Sequence, residues 1–278
     1  MTTSTNLLAT AVTWLFVPAT RPDRFAKAAA SGADAVIVDL EDAVAAGEKA
    51  AARERLRAAW PEGVDVPIAV RINGPHTPEY ADDLAACRAL SPAAVVLPKT
   101  ESAAQVRDAA EGSGGIPVLP LVETARGLVH LDRITAEPAC ARLLFGSIDL
   151  ALDLGVSDDR ALDAARSDLV RWSVANGLPA PVDGVTTAVR DEDAVTRDAA
   201  RGRAWGFGGK LCIHPAQLPY VRRAFAPSEQ EADWARRVLA AGHDGAATVD
   251  GEMIDRPVVE KARRILSRAD LDARQTKP

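Results

Sequence analysis

The chain has 278 residues, 47% of them hydrophobic but only 4% aromatic, so its core must be built from aliphatic side chains and alanine. Its net charge of −6 and pI near 5.3 lack the basic excess expected of a general nucleic-acid binder. Three widely spaced cysteines without a CxxC pair point to a reduced, cytoplasmic protein with no zinc or disulfide framework, and the opening residues show neither a signal peptide nor a membrane span.

Eight strand-like runs follow in order. They are Thr13–Pro18, Asp34–Glu41, Pro67–Asn73, Ala93–Lys99, Ile116–Glu123, Arg142–Asp149, Pro179–Val185 and Gly208–Pro215. Most are continuously apolar, the pattern of strands covered on both faces in a parallel sheet. Helical segments alternate with them at Pro22–Ser31, Glu48–Trp60, Pro78–Leu90, Ser102–Glu111, Leu128–Ala136, Asp159–Asn176, Asp191–Trp205 and Gln217–Phe225. Eightfold βα alternation in one chain of this length predicts an α/β fold of the (β/α)₈ TIM-barrel type, with an open doubly wound sheet as the alternative. The expected organisation is an N-terminal tail (1–12), a barrel (13–226) and a C-terminal helical segment (227–278). That last segment holds a helix over Ser228–Ala241, a Gly-rich break and a final helix from about Pro257.

Barrel chemistry belongs at the carboxyl ends of the strands. There the sequence places Arg21 and Arg24, then Asp39, Glu41 and Asp42, Arg71 and Asn73, Lys99, Glu123, Asp149, Asp183 and His214. Glu123 and Asp149 each close an apolar run and lie 26 residues apart, about one strand–helix–strand unit. Two carboxylates at neighbouring strand ends suit a hard divalent cation such as Mg²⁺, with Mn²⁺ as a substitute; as a simpler role, each could cap a helix. Arg71 reads either as a buried ion pair with Asp39 or Glu41, or as a fork for a substrate carboxylate. Lys99 either neutralises strand-end acids or contacts substrate. Glu41 and Asp42 read as groups that hold water around a metal. Arg21, Arg24 and Lys27 form either a solvated helix face or a phosphate clamp. No Walker-type or GxGxxG loop is present.

The stretches LFVPATRPDRFAKAAASGADAVIVDLEDAV, VRING, VVLPKTES, LVETARGL, LLFGSIDLALDLG and GKLCIHPAQL resemble the HpcH/HpaI aldolase and citrate lyase β-subunit family, its CitE-like acyl-CoA lyase branch above all. The resemblance runs from about Trp14 to Leu271. It implies a barrel assembling into homotrimers or hexamers, Mg²⁺ on Glu123 and Asp149, and Arg71 on the carboxylate of a 2-oxo acid. It further implies CoA-thioester substrates, with Arg21, Arg24 and Lys27 near the CoA phosphates and Asp42 and Lys99 beside the substrate. Asp255, in GEMIDRP, would arrive from a neighbouring subunit's C-terminal segment and act catalytically with Arg71 and Glu41. The implied reaction is carbon–carbon cleavage of a malyl-, citramalyl- or citryl-CoA. A thioesterase and a CoA-independent aldolase are the alternatives.

Overall fold

The computed structural model describes residues 3–241, 248–250 and 252–275. It divides into two compact units, Met1–Arg222 and Arg223–Pro278. The first contains α1 (Thr3–Thr10), β1 (Thr13–Pro18), α2 (Phe25–Ala29), β2 (Ala35–Asp39), α3 (Lys49–Ala58), β3 (Ile68–Arg71), α4 (Tyr80–Leu90) and β4 (Ala94–Leu97). It continues through α5 (Ala103–Gly112), β5 (Val118–Val122), α6 (Ala125–Val129), α7 (Leu131–Ala136), β6 (Leu144–Phe145), α8 (Ser147–Leu154) and α9 (Asp163–Ala175). Then come β7 (Val182–Asp183), α10 (Glu192–Trp205), β8 (Gly209–Cys212) and most of α11 (Leu218–Phe225).

The eight strands pair in parallel in the order β1 to β8, and β8 closes back onto β1. This is the (β/α)₈ barrel. Side chains alternate along each strand. Trp14, Ile37, Val96, Leu119, Leu121 and Leu211 form a single buried cluster that fills the barrel. Stepping two residues on from Ile37, Ala69 and Leu121 reaches Asp39, Arg71 and Glu123. The pleat that packs the core therefore aims those three polar groups inward at the carboxyl ends. The intervening residues, such as Val36, Val38, Val70 and Val95, are buried too, beneath the helices.

Ahead of β1, the residues assigned in sequence to a tail form α1, and its Leu8, with Ala11 beyond, joins the barrel cluster. Arg142, 1% exposed, fastens this plug. Its Nη1 donates to the carbonyls of Leu8 and Ala11, both at 2.8 Å, and its Nε donates to the Ala180 carbonyl at 2.7 Å. The guanidinium also stacks over Trp14 at 5.7 Å.

The second unit contains α12 (Glu229–Ala240), the short antiparallel pair β9 (Thr248–Val249) and β10 (Glu252–Met253), and α13 (Arg256–Gln275). Ser228 and Glu231 form a reciprocal capping box at the start of α12, the arrangement their spacing predicts. Ala235, Val238, Ile254, Val259 and Ala262 make its own small core. The Gly-rich break falls largely on 242–247 and 251, outside the described residues. Among the described residues no helix is long and apolar enough to cross a membrane.

Candidate active site at the carboxyl end of the barrel

Glu123 follows β5 directly and is 2% exposed. Its Oε1 accepts the backbone N–H of Lys99 at 2.8 Å. Lys99 makes that donation from a left-handed conformation, φ +48°, which is strained for a residue with a side chain. Glu123 Oε2 lies against Gly146, where a Cβ would come within 2.4 Å of it. Only glycine leaves room there for the carboxylate. Burial, reinforced by the nearby charges of Glu41 and Asp149, pushes the Glu123 carboxyl up to about 8.

Asp149 was expected at a strand end. The structure instead ends β6 at Phe145, turns at Gly146, and places Asp149 in the first turn of α8. The apolar run RLLFGSIDLAL conceals that turn, because Ile148, Leu150 and Leu152 of α8 continue the hydrophobicity of the strand although only Leu150 of the three is buried. Asp149 and Glu123 nevertheless line one cavity of about 390 Å³, together with Asp39, Asp42 and Arg71. Among the described residues, Glu123 Oε2 and the Asp149 carboxylate accept no hydrogen bond. Two hard oxygen donors that face one cavity fit a divalent cation of the Mg²⁺ kind. Such an ion takes one or two carboxylates and completes its shell with water and substrate oxygens.

Arg71 is 9% exposed and stacks over Phe16 at 4.9 Å. Its Nε and Nη2 grip Asp39 at 2.7 and 2.6 Å. The bidentate fork foreseen for substrate is thus already occupied, and the ion-pair reading holds for that edge. Only Nη1 faces elsewhere, with Glu41 Oε2 at 3.1 Å and Asp42 Oδ2 at 3.5 Å. Burial opposes the charge on Arg71, but the Asp39 hydrogen bonds together with the charges of Asp39, Glu41 and Asp42 outweigh it, so its pKa is raised. Asp39 also accepts the N–H groups of Glu41 and Ala43. It therefore braces the β2 turn as well as the arginine.

The Lys99 ammonium makes a short ion pair with Glu41. Of the two roles read from sequence, it fills that of neutralising a strand-end acid. Burial raises the pKa of Glu41, against the opposing pull of Arg71 and Lys99. A residue the sequence did not flag completes the arrangement. Lys49 donates from Nζ to the carbonyls of Leu40 and Glu41 at 2.9 and 2.6 Å. It lies in a polar stretch that reads only as a helix start.

Other strand-end candidates are turned away from the cavity. Asp183 packs against the helix layer, paired with Arg166 at 3.4 Å and Lys210 at 3.9 Å. Asn73 is bonded to Asp83. His214 caps the turn after β8 by accepting the N–H of Ala216. Arg21, Arg24 and Lys27 are exposed beyond β1, and Arg21 is paired with Asp23 at 2.8 Å. In the second unit, Asp255 is exposed and caps α13 by accepting the N–H of Val258 at 3.1 Å. Its neighbour Ile254 is buried in that unit's core, which fixes the carboxylate on the unit's surface.

The chain is similar to known proteins along nearly its whole length. A "Citrate lyase subunit beta-like protein" of Mycobacterium tuberculosis is 42% identical, with 95% of this chain and 97% of the relative covered. A "(3S)-malyl-CoA thioesterase" of Cereibacter sphaeroides is 35% identical over 92% of this chain and 93% of its own. A crystal structure of CitE from M. tuberculosis in complex with magnesium, acetoacetate and coenzyme A superposes with a TM-score of 0.84. It is 40% identical, covering 94% of this chain and 99% of that one. The family model for HpcH/HpaI aldolase/citrate lyase matches residues 13–215, the span from β1 to the turn after β8, and the chain belongs to that family.

Proposed function

We propose that the protein is a Mg²⁺-dependent carbon–carbon lyase. It would cleave or form a 3-hydroxyacyl-CoA such as malyl-, citramalyl- or citryl-CoA, with acetyl-CoA or a related thioester and a 2-oxo acid as the other side of the reaction. The observation that carries this reading is the pair of carboxylates, Glu123 with its Oε2 unbonded among the described residues and Asp149 with neither oxygen bonded, lining the same cavity as Arg71. The magnesium, acetoacetate and coenzyme A bound by the M. tuberculosis CitE support it.

Glu123 and Asp149 would hold the ion, which supplies Lewis-acid polarisation of the hydroxyl and carboxylate oxygens of the acid half. Arg71 offers Nη1 to that carboxylate and to negative charge developing on the adjacent oxygen. Glu41, fixed by Lys99 and with a raised pKa, receives the hydroxyl proton directly or through one water. As that proton leaves, the oxygen's electrons form the keto C=O bond and the C–C bond breaks. Its electron pair passes to the thioester fragment as an enolate. Asp255 from a neighbouring subunit's C-terminal segment protonates that carbon, or removes the proton in the condensation direction. This role requires a homo-oligomer, a trimer or hexamer. Arg21, Arg24 and Lys27 would meet the CoA phosphates, which suit their exposed cationic ends. The buried free thiols Cys87, Cys140 and Cys212 agree with a reducing, cytoplasmic setting.

The experiment is incubation with Mg²⁺ and a panel of malyl-, citramalyl-, β-methylmalyl- and citryl-CoA, with products resolved by mass. A 2-oxo acid plus a shorter acyl-CoA supports the lyase. Free CoA plus an intact hydroxy acid supports a thioesterase, the second reading favoured by the Cereibacter relative. Turnover of free hydroxy-oxo acids alone would mark a CoA-independent aldolase.

A further inference from the structure

The guanidinium of Arg71 is surrounded by three carboxylates, and they are not equivalent. Asp39 is nearly inaccessible, holds two nitrogens of the arginine and accepts two backbone N–H groups besides. Glu41 is buried, and Lys99 holds its other oxygen. Asp42 differs from both. Its side chain is 56% exposed, it lies 3.5 Å from Nη1, and among the described residues it makes no hydrogen bond. It also lines the cavity beside Glu123 and Asp149. Nη1 is the one guanidinium nitrogen without a hydrogen-bonded partner, so an incoming carboxylate must bind there. Asp39 and Glu41 cannot yield without abandoning buried partners, which is costly. Asp42 can swing into water at little cost.

Resting on the proposed reading that Arg71 receives the acid half of the substrate, we infer that Asp42 is a built-in competitor for that half. Its carboxylate stands 3.5 Å from Arg71 Nη1 in the free protein, beside the buried Glu41 at 3.1 Å, and is displaced when a carboxylate ligand enters. It is therefore a specificity-determining residue. A ligand group must carry a full negative charge to replace it, and a neutral ester or amide gains nothing by entering. The opposite role, in which Asp42 holds the ligand or its waters in place, predicts the opposite sign for its removal.

The test uses the full-length protein at saturating Mg²⁺, with pyruvate and its uncharged methyl ester as calorimetric probes. Asp42→Asn is expected to bind pyruvate about two- to five-fold more tightly than the parent, the range for releasing a half-exposed ion pair. Methyl pyruvate should be unchanged. Asp42→Glu, which keeps the charge and lengthens the reach, should not tighten pyruvate binding. Asp42→Ala repeats the measurement without the amide, and circular dichroism reports that each variant is folded. Weaker or unchanged pyruvate binding in both Asp42→Asn and Asp42→Ala overturns the inference while the parent still binds. A parent that binds no pyruvate overturns the functional reading itself, and the inference with it.

Discussion

Glu123 gives the sharpest quantitative expectation. In the metal-free protein its carboxyl titrates at about 8, mainly because it is buried and secondly because Glu41 and Asp149 stand nearby. A metal ligand must be deprotonated, so Mg²⁺ has to displace this proton. At pH 7 only about one site in eleven is already ionised, at pH 6 about one in a hundred, and at pH 9 about nine in ten. The apparent affinity for Mg²⁺ should therefore rise about 90-fold from pH 6 to pH 9, about 2.7 kcal/mol, and level off above about pH 8. Close to one proton should be released per ion at pH 7. Titration calorimetry in two buffers of different ionisation enthalpy measures both quantities. The stability of the metal-free protein should run the other way. Between the ordinary carboxyl value and about 8, the folded state binds more protons than the unfolded chain. Stability therefore falls as pH rises through that window, and saturating Mg²⁺ cancels the fall. An affinity that is flat from pH 6 to 9, with no proton released, would refute the placement of the ion on Glu123.

Asp149→Asn keeps the size of the side chain but removes one of the two charges. It should abolish Mg²⁺-dependent turnover while circular dichroism shows the fold intact, and full turnover would remove Asp149 from the site. In Gly146→Ala the new methyl would meet Glu123 Oε2 and Cβ at 2.4 and 2.5 Å. Calorimetry should show Mg²⁺ binding weakened at least tenfold, beyond what thermal denaturation accounts for. Arg142→Met removes the hydrogen bonds to the carbonyls of Leu8, Ala11 and Ala180, the first two of them buried, and should cost about 3 kcal/mol. At about 2–4 °C per kcal/mol for a domain of this size, the melting temperature should fall by roughly 6–12 °C. Asp255→Ala should leave pyruvate binding in place and stop C–C cleavage in the product assay.

Much of the fold is visible in the sequence because parallel strands covered on both faces must be apolar throughout, and eight such runs alternate with amphipathic helices. Glu123 is visible for the same reason, since a lone acid ending VLPLV has few purposes in a core. Asp149 is legible as a residue of the site but not in its conformation, because Gly146 is the sole mark of the turn inside an apolar run. Asp183 stands at its strand end as expected, but the alternation along β7 turns it from the cavity. Val182 belongs to the barrel interior, so the next residue must face the helices. The engagement of Arg71 by Asp39 depends on two strands in register, Asp39 beside Arg71, and no local pattern encodes it. Lys49 escapes for a similar reason, since its partners are backbone carbonyls that carry no residue identity. The plug made by α1 hides in a short stretch whose only mark is the paired leucines of NLLATA.

Diffraction from a crystal soaked with Mn²⁺ and pyruvate, read by the anomalous signal of the metal, tests the central arrangement most directly. The account predicts one peak within coordination distance of both Glu123 and Asp149, with the pyruvate carboxylate reaching Nη1 of Arg71. A metal peak elsewhere, or pyruvate bound away from Arg71, would contradict it.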